Sequence, residues 1–474
     1  MPKILLQNAD AIVTCDDGHH VYRHCDLLIE NNKIAQIGPN LRRGHGGEPA
    51  AGGLVDRAAD GVFDEVIDCR GKVLYPGLIN THHHFFQTFV RNRLSIDYPS
   101  MTVIDWIYKI YKIFSHIDEE MIYYSSLVAM ADLLRHGCTT AFDHQYCHTK
   151  PNVVHMLDWQ VKAAEQLGIR YVGGRGGNTL PMEEGSTIPA PMLETTDEFL
   201  RDCERLISLF HDPAPFSMTQ IVVAPCQPVN CYRETFTGSV DLARKHGVRL
   251  HTHLGEGEND IMSGRHGMRT LDWCEECGFI GEDVWFAHCW ELTEDEFRKL
   301  GRYGSGVSHC PAPAVLGGFP ILDMKQIQST GAVLSLGCDG SATNDSSNLL
   351  DTLRMAYLMQ AWHSKRRGGC VTPYEILRMA TRGGAKTLGR PELGQLGPGR
   401  AADLFALDLN RIQFVGSLHD PANIIPRIGY TEQVDFTMVN GKMVFRGGEL
   451  LLVNEEELKQ KADASQQRIN ALVD

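Results

Sequence analysis

Between about residues 76 and 396 the chain alternates short apolar runs with longer amphipathic stretches, and the apolar runs number eight: 74–80, 139–143, 170–174, 220–224, 248–253, 284–287, 306–308 and 333–336. The stretches between them, among them 119–135, 152–167, 194–210 and 293–300, carry the spacing of helices that bury one face. Strands regularly alternating with helices imply a parallel sheet, and eight strands allow it to close. The pattern predicts an α/β fold, a (β/α)8 barrel of the TIM type. In that architecture chemistry sits where strands end.

The polar residues that interrupt the apolar pattern fall at those ends. His82 and His84 follow the first run, His144 the second and Arg175 the third; His251, His253 and Glu256 close the fifth, His288 the sixth, His309 the seventh and Asp339 the eighth. Outside the barrel both termini are strand-rich. Residues 4–37 read as hairpins turned at Asp16-Asp17-Gly18 and Asn31-Asn32, and 402–407 and 434–445 add strands, the latter pair turned at Asn440-Gly441. Residues 38–62, rich in Gly, Ala and Arg, read as a surface excursion. The expected organisation is a small β-sandwich composed of 1–75 and 397–450, a barrel at 76–396, and a charged amphipathic C-terminal helix within 451–474.

In an extended segment alternate side chains share a face, so His82 and His84 point together while His83 points away. Alone, such a triplet could also be a chance polyhistidine run or a surface loop, the less favoured reading. His251 and His253 repeat the spacing, and Glu256 follows close enough to face the same pocket; alone, that pair could be bonded to backbone carbonyls. His288 by itself reads as a satisfied core histidine. Asp339 ends an apolar strand, where a carboxylate needs a metal, a cation or several donors to offset desolvation, or else caps the turn before Ser341. All of them on separate strand ends of one barrel point to a shared centre. Three imidazoles and one carboxylate suit one divalent ion, Zn²⁺ first and Fe²⁺ second. Gln87, a short turn beyond the histidine triplet, has an amide able to donate to and accept from a heterocycle edge, or to cap its own loop. His144 and Arg175 could touch ring oxygens, or be committed to backbone contacts and salt bridges.

The runs 76–84 (PGLINTHHH), 251–256 (HTHLGE), 287–288 (AH) and 339–345 (DGSATND) together resemble the amidohydrolase superfamily in its mononuclear aminohydrolase branch. Within the branch, 82–92 (HHHFFQTFVRN), 141–146 (AFDHQY), 180–189 (LPMEEGSTIP) and 309–313 (HCPAP) are most similar to the hydroxyatrazine N-ethylaminohydrolases. The 8-oxoguanine and guanine deaminases are similar at the metal residues and Gln87 but depart around 312–315. The resemblance implies that His82, His84, His253 and Asp339 hold one metal ion, with Glu256 and His288 facing the substrate. A second ion would need a lysine on the fourth strand, and 220–226 (QIVVAPC) supplies none. A divalent ion lowers the pKa of water from 15.7 towards about 7. The resemblance further implies Asp339 as the base, Glu256 as the proton shuttle to a ring nitrogen and His288 as a donor to the developing oxygen. The implied reaction displaces an amine or alkylamine from a hydroxylated s-triazine-like ring, with 8-oxoguanine or guanine deamination as the alternative. It also implies a homo-oligomer, a dimer first.

Other classes fit less well. A net charge of −14, spread along the chain, argues against nucleic acid and anionic membrane surfaces as partners. No run approaches the roughly 18 apolar residues of a membrane helix, and fourteen scattered cysteines fit a reducing cytoplasm. A non-enzymatic scaffold on the same barrel would have lost its metal residues, and none is missing. Cys274-Glu-Glu-Cys277 has no second Cys-x-x-Cys and reads as a half-buried helical turn.

Overall fold

The computed structural model describes residues 2–42, 63–93, 101–149, 155–365 and 369–473; most of the expected surface excursion lies outside them. Eight parallel strands form the barrel sheet in sequence order: Leu78–Asn80, Cys138–Gln145, Arg170–Gly177, Thr219–Pro225, Arg249–Leu254, Val284–His288, Gly306–His309 and Val333–Leu336. The first and last strands meet where Thr81 N donates to Leu336 O at 3.1 Å and Asp339 N donates to His82 O at 3.0 Å. Helices intervene, several opened by a threonine capping box: Thr195 with Glu198, Thr293 with Glu296, Thr372 with Glu375.

The first apolar run is two strands rather than one. Lys72–Pro76 pairs antiparallel with Leu404–Asp408 in an outer sheet, while Leu78–Asn80 pairs parallel with Cys138–Gln145 in the barrel. Gly77 lies at the changeover, and a Cβ there would lie 2.0 Å from Thr139 Oγ1, so only glycine lets the chain cross between sheets at this point.

The outer sheet has nine strands, built from residues near both ends of the chain. Its arms share one buried core in which Leu6, Ile12, Leu27 and Ile29 meet Leu404 and Phe436. The turn Asn440-Gly441 has φ of 52° and 75°, the geometry a tight hairpin demands. Sheet and barrel are joined where Arg170, at the start of the third barrel strand, donates to Asp403 through Nε at 2.9 Å and Nη2 at 3.0 Å.

Two helices frame the barrel mouth. Val103–Phe114 buries Trp106, Ile107, Ile110, Tyr111 and Phe114 in a cluster with Phe86 and Tyr146. The C-terminal helix Glu455–Val473 buries Ile469 in the same cluster, and its Arg468 pairs with Asp118 and Glu120. The Cys274–Cys277 turn ends a short helix, with both thiols more buried than the sequence pattern implies; all fourteen cysteines are free. Among the described residues no helix is long and apolar enough to cross a membrane.

Candidate metal centre

Beneath the mouth an aromatic floor crosses the barrel. The Phe142 ring lies 4.8 Å from that of Trp285 and 4.6 Å from that of His251, measured between centroids. His251 Nδ1 meets Trp285 O at 3.0 Å, so it carries the proton and leaves Nε2 an acceptor. That acceptor stands 3.0 Å from His82 Nδ1. His82 must therefore be protonated on Nδ1, and its Nε2, which has no hydrogen-bond partner, offers a lone pair 3.5 Å from Asp339 Oδ1.

The same logic sets two more rings. His84 Nδ1 donates to His144 O at 2.9 Å and His253 Nδ1 donates to Cys226 O at 2.7 Å. Their Nε2 atoms are both acceptors, yet they stand 3.1 Å apart, and His84 Nε2 is 3.3 Å from Asp339 Oδ1. Burial pushes His82 down to about 4 and His253 well below the usual histidine range, so these imidazoles are neutral. Lone pairs facing one another and a carboxylate repel unless a cation sits among them. The donor set fits a divalent ion, with three ring protons fixed on the far side as metal-bound histidines require.

Asp339 follows the last strand with φ 65°, and His288 ends the sixth with φ 71°. Such left-handed backbone is uncommon for residues with a Cβ and concentrates at functional sites. Burial alone would raise the Asp339 carboxyl, but a positive partner between it and His82 and His84, a proton or a cation, together with the field of His288 outweighs burial and holds the group well below the carboxylate range. Glu256 goes the other way. Burial first, then the charges of Asp339, Glu258 and Glu291, raise it well above the usual value. Its Oε1 lies 3.5 Å from His288 Nε2. The loop that carries it is held by Glu258, whose carboxylate accepts from Gly255 N and Glu256 N, each at 2.6 Å.

His83 points away, bonding Ser347 Oγ at 3.0 Å, as the alternation of an extended segment requires. Gln87 borders a cavity of about 20 Å³ together with His84, His253, Glu256 and Asp339. Its amide is also engaged by the protein, donating to Tyr146 OH at 3.2 Å and accepting from Ala342 N at 3.2 Å. His144 stacks on His253 with centroids 4.8 Å apart and donates from Nε2 to Ala224 O at 2.8 Å. It lies in the cluster but is not among the residues around the cavity. Arg175 is not brought to the centre. Its guanidinium is spent on Glu194 at 2.7 and 2.8 Å, on Asp202 at 2.7 Å and on Gly176 O, so a ring-contact role for it is corrected to a structural one. His309 is buried at the end of the seventh strand with neither ring nitrogen partnered.

Sequence reasoning missed the second role of His251, which orients a neighbour instead of facing the cavity. It also missed the cavity walls Trp106, Ile107, Tyr111 and Tyr146, which in sequence look like any apolar helix or strand. The cavity as it stands has room for an ion or a water.

A parallel eight-stranded barrel with imidazoles and carboxylates converging at its mouth is the architecture of a metal-dependent hydrolase. The chain belongs to the amidohydrolase family, whose profile matches residues 73–444. It is 49% identical to hydroxydechloroatrazine ethylaminohydrolase from Pseudomonas sp. (strain ADP), across 97% of this chain and 94% of that protein. It is 35% identical to 8-oxoguanine deaminase from Pseudomonas aeruginosa, across 83% of this chain and 90% of that one. Among solved structures it resembles atrazine chlorohydrolase from Arthrobacter aurescens TC1 complexed with zinc, with 28% identity, a TM-score of 0.89 and coverage of 98% and 100% of the two chains. It is an enzyme that hydrolyses C–N bonds.

Proposed function

We propose that the protein displaces an amine or alkylamine from a hydroxylated s-triazine-like ring by hydrolysis, with one zinc ion held by His82, His84, His253 and Asp339. The observation that carries this reading is geometric: His84 and His253 Nε2 face each other at 3.1 Å with Asp339 Oδ1 3.3 Å from His84 and 3.5 Å from His82, in a cavity that Glu256 also borders, and the burial that raises Glu256 suits it to hold a proton beside them. Zinc is supported by the imidazole-rich donor set and by the zinc in the similar chlorohydrolase structure.

When bound, the ion acts as a Lewis acid that makes water nucleophilic near neutral pH. The Asp339 carboxylate accepts the proton that the attacking water gives up and later returns it to the departing amine. Glu256 gives its proton to the ring nitrogen that receives the electron pair and takes one back from the added hydroxyl as the C–N bond breaks and the carbonyl forms, and His288 Nε2 donates to the developing oxygen. Gln87 orients the ring by turning its amide from Tyr146 and Ala342 to the substrate; His144 backs the His253 ring. The substrate class is supported by the 49% identical relative.

The second reading, deamination of 8-oxoguanine or guanine, is favoured by the 35% identical relative and would use the same residues. Rates on hydroxyatrazine, other N-alkylated hydroxytriazines, guanine, 8-oxoguanine and isoxanthopterin, with the released amine measured, decide between them. The highest kcat/KM is expected with an N-alkylated hydroxytriazine, and a higher value on a purine would replace the first reading by the second. We propose also that 1–75 with 397–450, the barrel 76–396 and the terminal helix form the structural units of a cytoplasmic homodimer, which light scattering of the purified chain tests.

A further inference from the structure

At the opposite end of the barrel from the histidines lies a cavity of about 870 Å³, within the roughly 300–1,000 Å³ usual for small-molecule sites. Ala332, Val333 and Leu334, where the eighth strand begins, form one side. The other is the helical run from Pro373 to Thr387 and the turn after it.

Arg378, Arg382 and Lys386 on that run and Arg390 in the turn after it all line this cavity, spaced four residues apart. Three carboxylates stand nearby, Asp17, Glu375 and Glu392, against five cations once Lys325 is included. Glu375 is bound to Lys325 at 2.8 Å, and the exposed Asp17 is shared between Arg378 at 3.4 Å and Arg382 at 3.6 Å. Arg390 is 2% exposed. It uses Nε on Glu392 at 2.7 Å and Nη2 on Ser217 O at 2.9 Å, while its Nη1 has no partner. Arg378 Nε is likewise buried and unpartnered. Both nitrogens are closed to solvent, so the contacts an anion in the cavity can make fall to the half-buried Arg378 and Arg382 and the exposed Lys386, with Arg390 adding its charge from behind. This concentration of cations stands out in a chain of net charge −14.

Leu334, Met379 and Pro391 supply an apolar part of the lining beside the cations, and His19 and Gln328 border it as well. We infer that the cavity binds a small phosphorylated molecule, its phosphoryl oxygens on Arg378, Arg382 and Lys386 in front of the buried Arg390 and its apolar part on Leu334, Met379 and Pro391. Guanidinium forks suit phosphate geometry, and a lysine adds a point charge.

Isothermal titration of the metal-loaded full chain at about 0.1 M salt with ADP, AMP and inorganic phosphate tests this. ADP is expected to bind with a Kd below about 1 mM, and the double variant Arg382→Gln, Lys386→Gln to weaken it at least about tenfold with hydrolase activity unchanged. Both side chains reach the surface, so retained activity reports an intact fold. Absence of binding by all three probes, or ADP affinity unaltered in the double variant, overturns the proposal; the second result would put the anion at the metal centre. Inorganic phosphate bound as tightly as ADP would remove the apolar wall from the site.

Discussion

Two buried polar clusters lie along the barrel strands, and they respond to burial in opposite ways. Around Arg175 every charge is answered: the guanidinium meets Glu194, Asp202 and a carbonyl, and Asp202 is further bonded by Arg205 at 2.7 Å, which reaches Asp158. At the mouth, His82, His84 and His253 direct bare nitrogens at one another and at Asp339. Buried polar groups are almost always satisfied. A complete cluster therefore marks a joint in the fold, and an incomplete one whose protons are all fixed on the outer side marks a receptor for something the chain does not itself supply.

The sharpest way to break this contrast is at the mouth. Removing metal with a chelator is expected to abolish turnover, and zinc or iron to restore it; Asp339→Asn should lower kcat by at least about 10³-fold with the circular dichroism unchanged. Near-normal turnover in that variant would remove Asp339 as ligand and base. Glu256→Gln should cost about 10²–10⁴ in kcat. Glu256 delivers its proton only while it holds one, so kcat/KM of the wild type falls as pH rises through the raised value, and that alkaline limb should be missing from the variant's profile. His251→Phe should weaken metal affinity by about 10–100-fold, read by titration against a zinc indicator, because it frees His82 to rotate or change its proton position. Arg175→Leu is the smallest for chemistry. It leaves Glu194 and Asp202 buried without their cation, so unfolding should become easier by about 3–5 kcal/mol in denaturant titrations, while kcat per folded, metal-loaded molecule stays the same. A selective rise in KM instead would return Arg175 to the substrate.

The eight strands were legible because barrel strands are buried on both faces and stand out as apolar runs. The division at Gly77 was not, since apolar continuity says nothing about which sheet a residue joins. Alternation along a strand told which of His82, His83 and His84 share a face, but not their depth, so it could not separate His253, which faces the ion site, from His251 beneath it. Arg175 illustrates the same limit: its partners lie 19 and 27 residues further on, and a strand-end position does not reveal that a side chain is already fully engaged. Trp106 and Tyr111 belong to an ordinary amphipathic helix until the cavity they border is seen.

The barrel's seam runs through its chemistry, because Asp339 N bonds to His82 O where the last strand meets the first. A growing polypeptide thus presents His82 and His84 long before it presents Asp339, the carboxylate they face. On the proposed ligand set, tight zinc binding therefore depends on the last strand docking against the first, and a chain cut before this seam is expected to bind zinc more weakly in a titration against a zinc indicator.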